Sequence, residues 1–256
     1  MPVSVGGNAT GAMGMNWPHE NYKKWILHQT NLAYDRFISQ GTWTMYIPAA
    51  FKENDTLSLH EQMDRTRLAI LVTQGEEGLH ATHLPLLLRR DEGPHGTLYG
   101  HLARANPQWQ QLNSGVEALV IFPGGDAYVS PSFYPSKAEH GKVVPTWNYL
   151  AVHAYGQATV FTDAAQLHQL LADLTHRHES SRPQPWSIED APADYIAKML
   201  GAIAGFAIPV QRLQGKRKLS QNRSASDMAG VRDGLAASEN ANDQQIARLM
   251  SAGRTF

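Results

Sequence analysis

The sequence predicts a mainly antiparallel β protein with flanking helices, an α+β chain built around a barrel. Three observations carry this reading. Between Thr66 and Phe161 about six strand-like runs follow one another, separated by turns rich in Gly and Pro. Parallel neighbours would need crossovers of about a dozen residues or more, usually helical, and few helical patterns intervene there. Strong helical periodicity begins only after Asp163.

Residues 1–44 read as an N-terminal extension. Met1 to Gly14 contains four Gly and little hydrophobic pattern, which suits disorder. Tyr22, Trp25, Ile26, Leu32, Tyr34 and Phe37 form only a loose helical pattern. MYIPAAF, from Met45, looks like a natural start, so the preceding segment reads as an upstream or appended addition. The main domain is expected over 45–236 and a polar helical tail over 237–256.

Within the main domain, Asp55 and Ser58, with Glu61 three residues later, suit a helix start. TRLAILVT (66–73), the QGEEG turn (74–78) and LHATHLPLLLRR (79–90) read as a hairpin. Pro85 marks a bulge or an edge there, because it has no N–H to give to a ladder. DEGPHG (91–96) is a turn, TLYGHLA (97–103) a strand and NPQWQQL (106–112) a short helix. VEALVIF (116–122) and AYVS (127–130) read as two strands joined by PGGD (123–126) as a tight hairpin turn. One long strand is expected from Thr146 to about Phe161.

Asp163 is a candidate N-cap, and Leu167, Leu170, Leu171 and Leu174 fall on one helical stripe. RPQPW (182–186) reads as a linker, and Pro192 opens a further helix. GFAIPVQRLQG (205–215) reads as one strand that could complete the barrel. From Ser226 the chain reads as a single polar tail helix, with Val231, Leu235, Ile246 and Leu249 as sparse apolar points.

Composition removes several function classes. The 256 residues are 42% hydrophobic and 18% charged, enough apolar content for a core. The formal net charge of −1 lacks the basic excess that phosphate contacts demand, so direct nucleic-acid binding is not expected. Without cysteine there is no disulfide, thiolate-held metal, iron–sulfur cluster or Cys nucleophile. No apolar run is long enough for a membrane helix and no signal-peptide pattern opens the chain, so a cytoplasmic location is expected. The 12 His show no metal-binding spacing: His80 and His83 fall on opposite faces of a strand, and His176 and His178 on divergent faces of a helix. No metal site is expected.

Four segments place polar residues beside strands. In GHLARANPQW (100–109) Arg104 and Asn106 sit at a strand-to-helix corner, where a guanidinium and free N–H groups suit a phosphate. An ordinary Asn cap beside a surface Arg explains the same residues. In KRKLSQNRS (216–224) the basic groups could neutralise phosphate and the amides could pair with a heterocycle. A solvated loop, or a nucleic-acid patch, fits that composition too. In VPTWNYLAVHAYG (144–156) Trp147, Tyr149 and Tyr155 share one strand parity, with Asn148 and His153 expected on the other. An aromatic beside an amide could flank a flat ring, and cross-strand packing is the alternative. The fourth segment is HATHLPL (80–86).

These stretches resemble the PaiB family of FMN-binding negative transcriptional regulators. The matching text is MYIPAAF (45–51), THLPLLL (82–88), GHLARANPQW, VIFPGGDAYVSPSFY (120–134), VPTWNYLAVHAYG and GFAIPVQRLQGKRKLSQNRS (205–224). The similarity spans roughly 45–236, with Ala207 standing where the family usually has an acidic residue.

The resemblance implies a pyridoxamine-phosphate-oxidase-like split β-barrel that pairs as a homodimer with FMN at the seam. By motif, it implies Arg104 and Asn106 for the phosphate and ribityl side, and Thr82 and His83 bordering the ring. His101 is a further cofactor candidate. Lys218, Ser220, Gln221 and Asn222 are implied to reach the flavin of the same site or of the partner, with Trp147 and Asn148 as walls. The family is named for repressing protease synthesis and sporulation. Two other functions compete. One is an FMN-dependent oxidoreductase with His83, His101 or His153 as proton shuttles, and the other is a haem-binding or haem-degrading split barrel.

Overall fold

A computed structural model describes residues 45–252, so the expectations for residues 1–44 lie outside the described residues. Everything described falls in one unit that begins at Met45. In chain order it runs β1 (Lys52–Glu53), α1 (Thr56–Arg65), β2 (Ala69–Gly75), β3 (Gly78–Leu84), β4 (Leu87–Arg89) and β5 (Thr97–Ala103). It continues with α2 (Gln108–Leu112), β6 (Glu117–Val129), α3 (Ser136–His140), β7 (Thr146–Gln157), β8 (Thr159–Phe161) and α4 (Ala164–Glu179). It ends with α5 (Ala193–Gly201), β9 (Ile203–Pro209), β10 (Arg212–Lys218), α6 (Ala225–Ala236) and α7 (Ala241–Ser251).

Two antiparallel sheets form. One has the order β1-β10-β7-β6-β2-β3 and the other β4-β5-β9-β8. Leu71, Val120, Phe122 and Ala154 from the first meet Leu98, Phe206 and Ile208 from the second in one buried core. The chain crosses between sheets through α2, from β5 to β6, and directly at Pro85–Leu86, at Ala158 and at Val210–Gln211. Pro85 acts as its missing N–H requires, ending one ladder before the next begins.

The other two direct crossings correct the sequence reading. The run from Thr146 to Phe161 is two strands in different sheets, as is GFAIPVQRLQG. At these corners the sheets approach so closely that a side chain at Gly156 would strike the Pro209 carbonyl. Sequence periodicity cannot report such a contact.

PGGD is also corrected. It is not a hairpin turn: β6 runs through it with a bulge against β7 between Pro123 and Asp126. A Cβ on Gly124 would sit 2.6 Å from that of Leu150, so Gly permits the approach of the strands. The bulge shifts the parity. Ala118, Val120 and Phe122 face the main core before it, and Ala127 and Val129 face a second core after it.

That second core explains the C-terminal segment, which forms two helices where one was expected. Asn240 caps α7 by accepting from the Asn242 N–H at 2.8 Å, which breaks the run after α6. Val231 and Ile246 are fully buried, Leu235 nearly so, and all three pack against Ala127, Val129, Leu150 and Leu219. The first cap readings hold: Asp55 accepts from Ser58 N–H and Asp163 from Gln166 N–H, each at 2.9 Å.

Because this packing is continuous with the sheet, Ile246→Ala should destabilise the whole unit by about 2–5 kcal/mol. Urea unfolding followed by circular dichroism checks this. One transition moving as a whole is expected. A separate early loss of helix signal, with the barrel midpoint unchanged, would show that α6 and α7 are not integral.

Candidate functional site

The first group of candidate residues closes one mouth of the barrel. Asn106 accepts from the Gln108 N–H at 3.0 Å and donates to Thr82 Oγ1 at 3.1 Å. Thr82 in turn donates to Gln108 Oε1 at 2.5 Å. The Gln108 amide, 1% exposed, donates to the Leu71 carbonyl, Thr73 Oγ1 and the His80 carbonyl at 3.2, 3.1 and 3.3 Å. Thr82 pairs with Leu71 and shares its strand parity with buried Leu84, so it points inward. These polar groups satisfy one another, as buried polar groups must. Gln108, the hub, was missed in the sequence because a Gln in a short helix carries no signal of burial.

The neighbouring candidates point elsewhere. His83, on the opposite parity of β3, is exposed beside Ile70 on the outward face of the six-stranded sheet. Arg104 is exposed, and its Nε donates to the Ile203 carbonyl at 3.0 Å. Its main-chain N–H donates to the Ala202 carbonyl at 2.8 Å. His101 lies on the other sheet, opposite Gly205, with a buried Nδ1 that has no partner among the described residues. Burial pushes the His101 imidazole below its ordinary pKa.

The second group surrounds the end of β10. Ser220 has φ 65°, a left-handed conformation unusual for a side chain with a Cβ. Its hydroxyl and the fully buried Asn148 amide exchange hydrogen bonds at 3.0 and 3.2 Å. Gln221 accepts from Leu219 N–H at 2.6 Å and donates to the Arg217 carbonyl at 2.5 Å. Leu219 and Ser220 are both buried, so this segment is not a solvated loop. Asn222 is exposed. Trp147 is also exposed and makes an edge contact with Tyr128 at 5.6 Å.

Three cations gather here over aromatic rings. Lys216 lies 5.0 Å from the Tyr149 ring and 5.6 Å from the Tyr46 ring, and Arg223 lies 4.9 Å from the Tyr134 ring. Lys218 donates to Thr146 Oγ1 at 2.6 Å. Burial pushes the Lys218 ammonium below its ordinary pKa; Tyr149 opposes that shift, and Lys216 and Arg223 add to it. None of the three cations appears in an ion pair with a described carboxylate.

Within one chain the two groups stay apart. β7, β6 and β2 separate β10 from β3, a span of roughly 19 Å at the usual strand spacing. Between them Ile70, Val72, Leu119, Ile121 and His153 are only partly buried. His153 shares this face with Tyr155, correcting the expected parity, and its Nδ1 lies 3.4 Å from the Tyr155 hydroxyl. Arg212 stacks 3.5 Å over the Tyr155 ring and donates to Glu117 at 2.8 Å, and its buried Nη1 has no partner among the described residues. Sequence reading missed Tyr155 and Arg212 as a pair, since only the β7–β10 register brings them together.

The two sheets and their shared core define a split barrel. The flavocytochrome Anf3 of Azotobacter vinelandii has a similar fold, with a TM-score of 0.50 and 16% identity over 70% of this chain and 75% of that one. Residues 45–212 match the family model described as "Putative FMN-binding domain". The protein "Protease synthase and sporulation protein PAI 2" of Bacillus subtilis is 34% identical over 206 residues, covering 80% of this chain and 96% of that protein. An uncharacterized protein of Aspergillus fumigatus is also 34% identical, with 75% of this chain and 90% of that protein covered. The chain belongs to this PaiB-type FMN-binding-domain family.

The residues fit the group that the family name implies. Lys216 and Lys218, an Arg212 nitrogen with no partner among the described residues and a partly open apolar sheet face supply what a flat, phosphorylated ring requires.

The two half-buried imidazoles set a pH dependence. His101 and His153 are both held below the ordinary value of 6.5 by burial. The unfolded chain therefore takes up their protons first as pH falls. Stability should be intact above about pH 7 and decline below that, through the lowered native values. Urea midpoints at pH 8 and pH 5 test this. His101→Gln, which cannot ionise, should lose less stability on acidification than the parent chain.

Proposed function

We propose that this protein is an FMN-binding homodimer whose flavin lies where the β3 edge of one protomer meets β10 of its partner. The observation that carries this reading is the pair Lys216 and Lys218, in no ion pair with a described carboxylate and joined by Arg223, beside aromatic rings at one border of a half-open apolar face. A two-fold axis along the strands would lay β3 of one copy over β10 of the other and bury Ile70, Leu119 and Ile121 from both.

Under that arrangement His83 borders the ring from one side, and Lys216 and Lys218 take the phosphate from the other. Arg104 and Asn222 stay exposed for the ribityl chain or phosphate. Trp147 and Gln221 flank the pocket. Thr82, Asn106, Asn148 and Ser220 act by positioning, because their polar atoms are already engaged.

A regulatory role of the kind the family resemblance implies would act through flavin occupancy and a partner protein. The last two helices offer no basic recognition surface: Arg232 and Arg248 are offset by Asp227, Asp233 and Asp243. A second reading, an FMN-dependent oxidoreductase, is favoured by His153. Burial keeps its imidazole neutral on the proposed flavin face, ready to accept a proton. Bound FMN would supply the electron transfer.

Light scattering and the visible spectrum of the full chain, titrated with FMN, test the proposal. A dimer binding about one flavin per chain is expected. Replacing Lys216 and Lys218 together by Ala should weaken FMN at least about tenfold, with the dimer retained. Ile121→Glu, in the middle of the apolar face, should give a monomer. A monomeric parent chain whose spectrum is indifferent to FMN overturns the proposal.

A further inference from the structure

A second recess opens on the outward face of the four-stranded sheet, across the core from the cations just described. Leu87, Tyr99, Ala207 and Thr159 form one cross-strand row on that face. Leu170 and Asp173 of α4 form the facing wall. The recess encloses about 510 Å³, within the usual range for small-molecule sites. Its depth depends on Ala207, which places only a methyl group between Tyr99 and Thr159.

The polar groups around it are held in place. Arg89 Nη2 donates to Asp173 Oδ2 at 2.5 Å, and Gln169 Nε2 donates to Asp173 Oδ1 at 2.9 Å. Arg89 Nε lies 3.6 Å from Glu92 Oε1, and the Tyr99 hydroxyl donates to Glu92 Oε2 at 2.6 Å. The hydrogen bond to Glu92, aided by burial, holds the Tyr99 phenol above its ordinary pKa, so the ring stays protonated. One guanidinium thus faces two ordered carboxylates, and the recess is net negative. Each carboxylate oxygen keeps lone-pair capacity beyond the bond it already accepts. Leu87 and Phe161 supply an apolar floor, and Leu170 adds apolar surface from the facing wall. Arg89 already lies 5.8 Å over the Tyr99 ring, and the Phe161 face attracts cations as well.

We propose that this recess binds a small organic amine, with its ammonium between Glu92 and Asp173 and its carbon body against Leu87, Phe161 and Leu170. A carboxylate of the same shape is repelled by the two acids. An alcohol of the same shape can use the apolar floor but leaves the charge uncompensated. The site is separate from the flavin reading and does not depend on it.

Isothermal titration of the full chain without added flavin tests this, using 2-phenylethylamine as probe with 2-phenylethanol and 3-phenylpropionate as matched controls. Saturable binding of about one amine per chain is expected, at least about tenfold tighter than the alcohol, with no binding of the acid. Ala207→Leu fills the recess. Thr159→Arg sets a cation at an exposed position on its rim. Each should weaken the amine at least about tenfold, with circular dichroism unchanged. If Ala207→Leu does not fold, Thr159→Arg decides alone. Absence of amine binding, equal binding of amine and acid, or amine binding undisturbed by Thr159→Arg overturns the proposal.

Discussion

The long β6–β7 ladder is the constraint on which the rest of the molecule depends. It borders both cores, and its bulge between Pro123 and Asp126 decides which residues face each of them. Strand side chains alternate strictly, so one extra residue exchanges inside for outside along everything that follows. Before the bulge, even-numbered β6 residues fill the barrel. After it, odd-numbered residues meet α6 and α7. β7 keeps one parity throughout, with Asn148, Leu150, Val152 and Ala154 all buried. The outward face of the sheet is therefore fixed by the same ladder, and it carries Tyr149, His153 and Tyr155 together.

Much of the fold was legible in the sequence because its signals are local. The β2–β3 hairpin is bracketed by Gly75 and Gly78, and Gly78 adopts the positive φ that a turn glycine allows. The leucine stripe of α4 and the Asp caps of α1 and α4 depend on spacing within one or two turns. What the sequence hid depends on contacts distant along the chain. A Gly-Gly pair suits a hairpin turn as well as a bulge, and the crowding between Gly124 and Leu150 selects the bulge. Likewise, Gly156 is an unremarkable strand residue until Pro209 is seen against it.

The candidate site divides along the same line. Motif reading picked out whole segments, but alternation separates neighbours within them. Thr82 turns inward to Gln108 while His83 turns outward. Asn148 is buried against Ser220 while Trp147 is open to solvent. Half of each motif serves to hold the other half still. An unpaired buried amide costs about 1–3 kcal/mol, so the inward members cannot be released to a ligand without replacement partners. The outward members carry no such obligation. Parity therefore sorts engaged side chains from open ones more sharply than chemistry does, because Asn, Thr and Ser suit either place.

The two outward faces have opposite electrostatic character, and the barrel explains how they stay distinct. Lys216, Lys218 and Arg223 gather at a border of the six-stranded sheet, while two acids outnumber Arg89 on the four-stranded sheet. Between them lies an apolar core of low dielectric that holds Leu98, Phe206 and Ile208. Each face can therefore be tuned for its own charge. A ligand on one face can influence the other only by moving a strand that belongs to both layers of packing. β9 and β10 are the direct route. They are consecutive, joined through buried Val210, and pressed at Pro209 against Gly156 of β7. Ala207 lies two residues before that corner and Arg212 two residues after Val210. A shift of β9 large enough to accommodate a longer side chain at 207 would be transmitted through a corner that has no room to absorb it.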